Sequence, residues 1–287
     1  MWIFRKFLVE HVSGGLTALL IAALLILTVG CGTNSRGVCT VQSGVSPVQL
    51  IDANGVPTYG MVPQSYNPDV PSRWVLYNHG SGQSGLDIST NLHDSCLANA
   101  LVQAGYVVIA SDYKIDTCWG NSQCVTDIAA VQQRWKAYLN LRPSPYVIAE
   151  SMGGIVTWNA VAHGTLSPLA VAGIYPACSL FNMYAEGAGP FSDDIQNDYE
   201  FSSPGAYAAA TADYDPMFAP ATDFTAFPIL MWASYSDRSV VRSQNEDPFT
   251  VKVNAAGGNA IIVPTSGNHG DASNFNPKAV VAFFDAH

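Results

Sequence analysis

The stretch Tyr146-Val147-Ile148-Ala149-Glu150-Ser151-Met152-Gly153-Gly154 decides how this chain is read. It opens as a short apolar run with the length of a buried strand. It ends on a serine and two glycines, and Ile155-Val156-Thr157-Trp158-Asn159-Ala160-Val161-Ala162 can continue as a helix. A serine on a tight strand-to-helix turn has the geometry of a nucleophile elbow. Such a turn lifts the hydroxyl above the sheet, and the following amide N–H, that of Met152, can help bind an oxyanion. At Gly153 and Gly154 a side chain would collide with the neighbouring strand. The pattern is G-x-S-x-G with Ala149 in the first glycine's place, and alanine is small enough for the turn. Taken alone, the same residues also read as a glycine-rich loop whose serine caps a helix.

Outward from this stretch the pattern repeats, with apolar runs that lead into polar loops. Residues 73–77 form a strand that runs into Asn78-His79-Gly80-Ser81-Gly82-Gln83-Ser84-Gly85. A glycine loop at a strand's end can point bare N–H groups into a cleft, or it can be an ordinary turn. His79 reads as a support for that loop. Residues 229–233 form a strand followed by Ser234-Tyr235-Ser236-Asp237, and 260–263 form the last strand, followed by a loop holding His269 and Asp271. Residues 48–51 and 59–62 pair as an antiparallel edge around Asn54-Gly55, a strong turn signal. Strands at 106–110 and 169–175 alternate with helices at 91–104, 126–139, 240–256 and 277–287. Ile128, Val131, Trp135 and Leu139 share one helix face, and Pro248 interrupts the 240–256 helix. Residues 176–228 lose clear periodicity and are rich in Gly, Pro, Ala, Asp and aromatics; they read either as an irregular, partly helical covering of the sheet or as a small lid or cleft wall that contacts substrate. Alternating strands and helices predict a mainly parallel, eight-stranded sheet with helices on both faces.

The 287 residues suffice for one large α/β domain, 47–287, behind a short leader. Hydrophobic residues make up 48% and charged ones 12%, which implies a sizeable core. The formal charge is −10 and no basic cluster forms a nucleic-acid footprint. From 143 to 237 there is no Lys or Arg. A site there would repel polyanions, which disfavours phosphorylated metabolites and coenzyme A thioesters.

Residues 1–31 read as a targeting segment: Arg5 and Lys6 precede an apolar run from 16 to 29. Gly30-Cys31 resembles the end of a bacterial lipoprotein signal, which would make Cys31 the lipidated residue, although Thr28 stands where that motif prefers Leu. Residues 12–32 are also about long enough to span a membrane, where ~20 residues are needed, and plain secretion is the third option. All three place the domain outside the cytoplasm, with membrane association through this segment only. Residues 32–46 are polar and read as a tether. In an oxidising compartment Cys118 and Cys124 can close a short loop as a disulfide. Without Cys31 five cysteines remain, so either one stays unpaired or Cys31 is not lipidated. No C-x-x-C pair or H-E-x-x-H helix suggests a metal, and no cofactor is expected.

Four groups fall at strand C-terminal ends, where sites form in such sheets. In order they are the 79–82 loop, Ser151, Asp237 and His269. This type and order resembles the α/β-hydrolase superfamily over roughly 47–287. The resemblance carries Ser151 over as nucleophile, Asp237 as acid and His269 as base. It makes Met152 one oxyanion donor and Ser81 or Gly82 the other. The Ser-Met-Gly-Gly stretch is similar to that of secreted lipase, cutinase and polyester-hydrolase relatives. Asp112 and Asp116 are alternative acids, since some hydrolases place theirs after another strand, whereas Asp271 lies too near His269 and reads as a turn cap. Glu150 reads as a pocket-rim or supporting residue, and Trp119 either lines the cleft or packs. The expected function is hydrolysis of a small or polymeric carboxylic ester through an acyl-enzyme. A serine peptidase or amidase, and an inactive cell-surface binding module, are the alternatives.

Overall fold

The computed structural model describes residues 46–185, 189 and 191–287, together with the backbone of 32–33 and 39–40. The expected leader with Cys31, and most of the expected tether, lie outside the described residues. Eight strands make the main sheet. They are β1 Val48–Ile51, β2 Pro57–Met61, β3 Trp74–Asn78 and β4 Val107–Ser111, then β5 Tyr146–Glu150, β6 Val171–Ile174, β7 Pro228–Ser234 and β8 Asn259–Thr265. Their spatial order is β8-β7-β6-β5-β3-β4-β2-β1. From β3 to β8 the neighbours run parallel, while β1–β2 and β2–β4 are antiparallel. The β1–β2 turn forms where expected: the Asp52 carboxylate accepts the Asn54 and Val56 N–H groups at 2.8 and 3.0 Å, and Gly55 takes φ +80°.

The helices are α1 Asp87–Thr90, α2 Leu92–Gln103, α3 Ser122–Tyr138 and α4 Gly153–Ala162. Next come the short α5 Leu180–Tyr184, α6 Ser192–Asp198 and α7 Tyr207–Ala210, then α8 Glu246–Ala255 and α9 Pro277–Asp285. The central strands are buried on both faces, which is why they read as continuous apolar runs. Alternate side chains split between two cores. Trp74, Leu76, Val107, Ile109 and Val147 face Ile128, Val131 and Trp135 of α3, Ile155 and Trp158 of α4, and Phe249 of α8. Val75, Tyr77, Val108 and Ile148 face Leu97 and Leu101 of α2 and Val280 and Phe284 of α9.

Two sequence expectations need correction. Helix α3 starts at Ser122, not 126, because the Asn121 side chain caps it by accepting the Cys124 N–H at 3.0 Å. Cys124 is therefore helical, and its disulfide to Cys118 staples the approach to the helix rather than a free loop. Helix α8 starts at Glu246, not 240, so Pro248 falls in the first turn, where its missing N–H costs nothing. The described part of 176–228 is partly helical, as one of the two readings had it. Asp215 ties two of its three short helices, α5 and α7: its carboxylate accepts the Phe181 N–H at 2.7 Å and the Tyr207 hydroxyl at 3.4 Å, and also the Met217 N–H at 3.0 Å. Lys252 of α8 adds bonds to the carbonyls of Pro216 and Met217 at 2.7 and 2.9 Å. Cys96 is also disulfide-bonded, and Cys178 is free and buried. Among the described residues no helix is long and apolar enough to cross a membrane.

Candidate active site

Ser151 sits on the sharp turn between β5 and α4, with φ +50°. That is left-handed backbone which a side chain rarely tolerates. The turn is held from both sides. The Ser151 N–H donates to the Ile174 carbonyl at 3.1 Å, and its carbonyl accepts the Ala177 N–H at 2.8 Å. A Cβ on Gly153 would run into the Asn78 carbonyl at the end of β3, and one on Gly154 into the Ala177 carbonyl. The two glycines are thus what lets the elbow press between its neighbours.

The structure brings Ser151, His269 and Asp237 together from the ends of β5, β8 and β7. Ser151 Oγ lies 3.0 Å from His269 Nε2, and His269 Nδ1 lies 2.8 Å from Asp237 Oδ2. A carboxylate only accepts, so Nδ1 carries the ring proton and Nε2 offers its lone pair to the serine hydroxyl. Asp237 is 4% exposed, and its other oxygen accepts the Ser239 and Val240 N–H groups at 2.8 and 3.0 Å. Asn268 ties the two loops by accepting the Arg238 N–H at 3.1 Å. The Tyr175 ring packs on the imidazole with centroids 4.4 Å apart.

The 79–82 loop arrives beside the serine: a Cβ on Gly80 would stand 3.2 Å from that of Ser151. The Gly82 N–H is committed to the Asp116 carbonyl at 3.3 Å and the Gly80 N–H to Gln83 Oε1 at 2.6 Å. Among the described residues the Ser81 N–H has no such acceptor. The Met152 N–H stands at the start of α4, where N–H groups have no acceptor within the helix. The Met152 side chain turns inward, and its sulfur accepts the Trp119 N–H at 3.4 Å.

The other candidates fall elsewhere. Asp112 anchors the loop from below, accepting the Gly85 N–H at 2.9 Å and the Tyr59 hydroxyl at 3.3 Å. Asp116 enters through its carbonyl, and Asp271 caps the turn that follows it by accepting the Ser273 N–H at 2.8 Å. His79 is buried against Tyr113, bonded to the Gly80 carbonyl at 2.8 Å, and burial pulls its imidazole below the ordinary value. Trp119 is fully buried and packs on Phe191. Glu150 is not on a rim: it is buried behind the elbow, accepting the hydroxyls of Tyr77 and Tyr175 at 2.7 and 2.6 Å.

Sequence reasoning assigned no role to Tyr175, Gln83 or Asp94. Tyr175 follows β6 at the sheet's C-terminal end, so the strand-end rule could have found it. Gln83 lay inside the quoted glycine loop. Asp94 gave no signal, being one carboxyl in an otherwise ordinary helix. A cleft of about 620 Å³ opens beside the loop, lined among others by Gly82, Gln83, Asp87, Asp112, Lys114 and Asp116. Among the described residues no cluster of three or more His, Cys, Asp or Glu side chains is gathered for a metal.

No protein-family profile matches the chain, and no curated protein matches it in sequence. Solved structures do. A puromycin-hydrolyzing peptidase of Mycobacterium tuberculosis superposes with TM-score 0.68 at 18% identity, covering 85% of this chain and 40% of its own. An esterase of Rhizomucor miehei gives 0.61 at 16%, covering 84% and 82%. Carboxyl esterase 2 of Tuber melanosporum gives 0.58 at 20%, covering 85% and 87%. The chain thus spans two-fifths of the peptidase but most of each esterase. Strand order, crossovers and these superpositions together establish that the chain has the α/β-hydrolase fold.

Proposed function

We propose that the chain is a serine hydrolase that cleaves carboxylic esters through an acyl-enzyme. The observation that carries this reading is the hydrogen-bonded line from Ser151 Oγ through His269 to Asp237, on an elbow whose serine is held at positive φ. Serine is a weak nucleophile at neutral pH. His269 takes its proton during attack and returns it to the leaving group. Asp237 holds the tautomer and stabilises the imidazolium. The Ser81 and Met152 N–H groups face the oxyanion of the tetrahedral intermediate, where each such donor is typically worth about 3–4 kcal/mol. Water then releases the acyl group by the same steps in reverse.

Esters are preferred over amides because the chain matches the two esterases over most of their length. The carboxylates around the neighbouring cleft favour a neutral substrate over an anionic one. The peptidase likeness supports a second reading, amide or peptide hydrolysis by the same groups. An extracytoplasmic site of action is part of the proposal, supported by the apolar leader and the Cys118–Cys124 disulfide. The test is turnover of p-nitrophenyl esters of increasing acyl length beside peptide anilides, with a fluorophosphonate label. Ser151→Ala should abolish both ester turnover and labelling. Labelling that persists unchanged in Ser151→Ala would sink the assignment, and anilide turnover without ester preference would shift it to a peptidase.

A further inference from the structure

Behind the elbow, two carboxyl groups share one dry pocket. Glu150 and Asp94 are 2% and 1% exposed, and neither forms an ion pair with a described residue. The Tyr77 hydroxyl stands between them, 2.7 Å from Glu150 Oε2 and 3.1 Å from Asp94 Oδ1. Tyr175 donates to Glu150 Oε1 at 2.6 Å. Gln83 Nε2 lies 3.3 Å from both Asp94 Oδ2 and Glu150 Oε1, while Gln83 Oε1 accepts the Gly80 N–H at 2.6 Å. A backbone N–H can only donate. The Gln83 amide is therefore fixed with its oxygen toward Gly80 and its two N–H bonds toward the carboxyls.

Counting protons gives the state of the pair. The Tyr77 hydroxyl has one hydrogen and two carboxyl neighbours. With both carboxyls ionised, one Tyr77 contact would lack a hydrogen, and two negative charges would face each other out of water. One proton on Asp94 completes the chain: Asp94 donates to Tyr77, and Tyr77 to Glu150.

This cluster touches the site at three places. Glu150 is covalently next to Ser151, Tyr175 lies on the His269 ring, and Gln83 closes the turn that presents Ser81. We infer that Gln83, oriented by the singly protonated Asp94–Glu150 pair, is a positioning residue that fixes the Gly80–Gln83 turn and so aims the Ser81 N–H at the reacting carbonyl. This inference rests on the serine-hydrolase reading. The groups facing the pair are Tyr77, His79, Gln83, Asp87, Tyr113 and Tyr175. Burial raises the three tyrosines above their ordinary range and lowers His79. Burial first, and then the Glu150 charge, push Asp94 up to about 9. The pair thus keeps its proton through neutral pH and loses it on the alkaline side.

The experiment is steady-state hydrolysis of a p-nitrophenyl ester from pH 6 to 10, each preparation normalised to its fluorophosphonate-reactive serine. Gln83→Leu should lower kcat at least tenfold with KM changed less than threefold, because the aimed N–H acts on the transition state. Wild-type kcat should fall above pH 9. Asp94→Asn, whose amide supplies an N–H in place of the acid proton, should abolish that fall. Gln83→Glu, which brings a third carboxyl to the pair, should move it to higher pH. Wild-type kcat in Gln83→Leu, or an alkaline fall left in place by Asp94→Asn, overturns the inference. If Gln83→Leu does not fold, the Asp94→Asn profile decides. Ser151-dependent turnover that ignores Gln83 and Asp94 rejects the positioning role alone. Turnover independent of Ser151 rejects the hydrolase reading, and this inference with it.

Discussion

Four side chains at the sheet's C-terminal end take left-handed backbone: Tyr113, Trp119, Ser151 and Tyr175. Non-glycine residues enter this region only where surrounding contacts force them, and such strain gathers at functional sites. Ser151 and Tyr175 make the point, one bearing the hydroxyl and the other the ring under His269. Asp237 acts on the imidazole through a single bond, and its effect is open to isolation. Asp237→Asn keeps the shape but can donate to Nδ1, which places the ring proton on the wrong nitrogen. We expect kcat to fall by about 10³–10⁴ with the fold unchanged, read by ester kinetics beside circular dichroism. At this scale Ser151, Asp237 and His269 were legible because residue type, chain order and strand-end position agree. That the Gly82 N–H is spent on a carbonyl thirty-odd residues away was not legible, since that contact exists only in the assembled fold.

Element boundaries show where local pattern gives way to capping. The periodic face of α3 was visible, but its first turn was hidden among polar residues that resemble a loop. Asn121 supplies the cap and the Cys118–Cys124 bridge fixes the chain just before it. Asn121→Ala should cost about 1 kcal/mol of stability in denaturant titration. Replacing both cysteines with serine should cost about 2 kcal/mol, as expected for a loop this short. The two losses should not add, because both release the same turn. The same bridge flanks Trp119, whose N–H meets Met152, so its removal should also lower kcat. Helix α8 was misread for the opposite reason. Pro248 looked like an interruption, whereas a proline in the first turn is compatible with a helix starting two residues earlier.

Among the described residues the buried carboxyls with shifted values lean one way, while the exposed Asp271 and Asp285 are lowered by their hydrogen bonds. Burial raises Asp94 to about 9, Asp198 to about 7, and Asp215 and Glu246 above their ordinary values. Each binds its proton more tightly in the folded state than in the unfolded chain, where a carboxyl releases it above about pH 4. Where the folded state binds more protons, stability falls as pH rises. Thermal unfolding should therefore show a melting temperature that declines from pH 5 toward pH 9, and Asp94→Asn should flatten part of that slope. A melting temperature that climbs over this range would contradict the burial of these groups. Strand alternation made the sheet and its two cores legible, because buried parallel strands announce themselves as apolar runs. The buried carboxyls were not, since burial is a property of the assembled layers. That assembly also sets a clock. Ser151 stands on a central strand, but Asp237 and His269 stand on the last two strands, which close one edge of the sheet. During synthesis Ser151 leaves the ribosome more than a hundred residues before His269. On the proposed reading, a nascent or still-unfolded chain carries a harmless serine, and hydrolytic power waits for the final strand to dock.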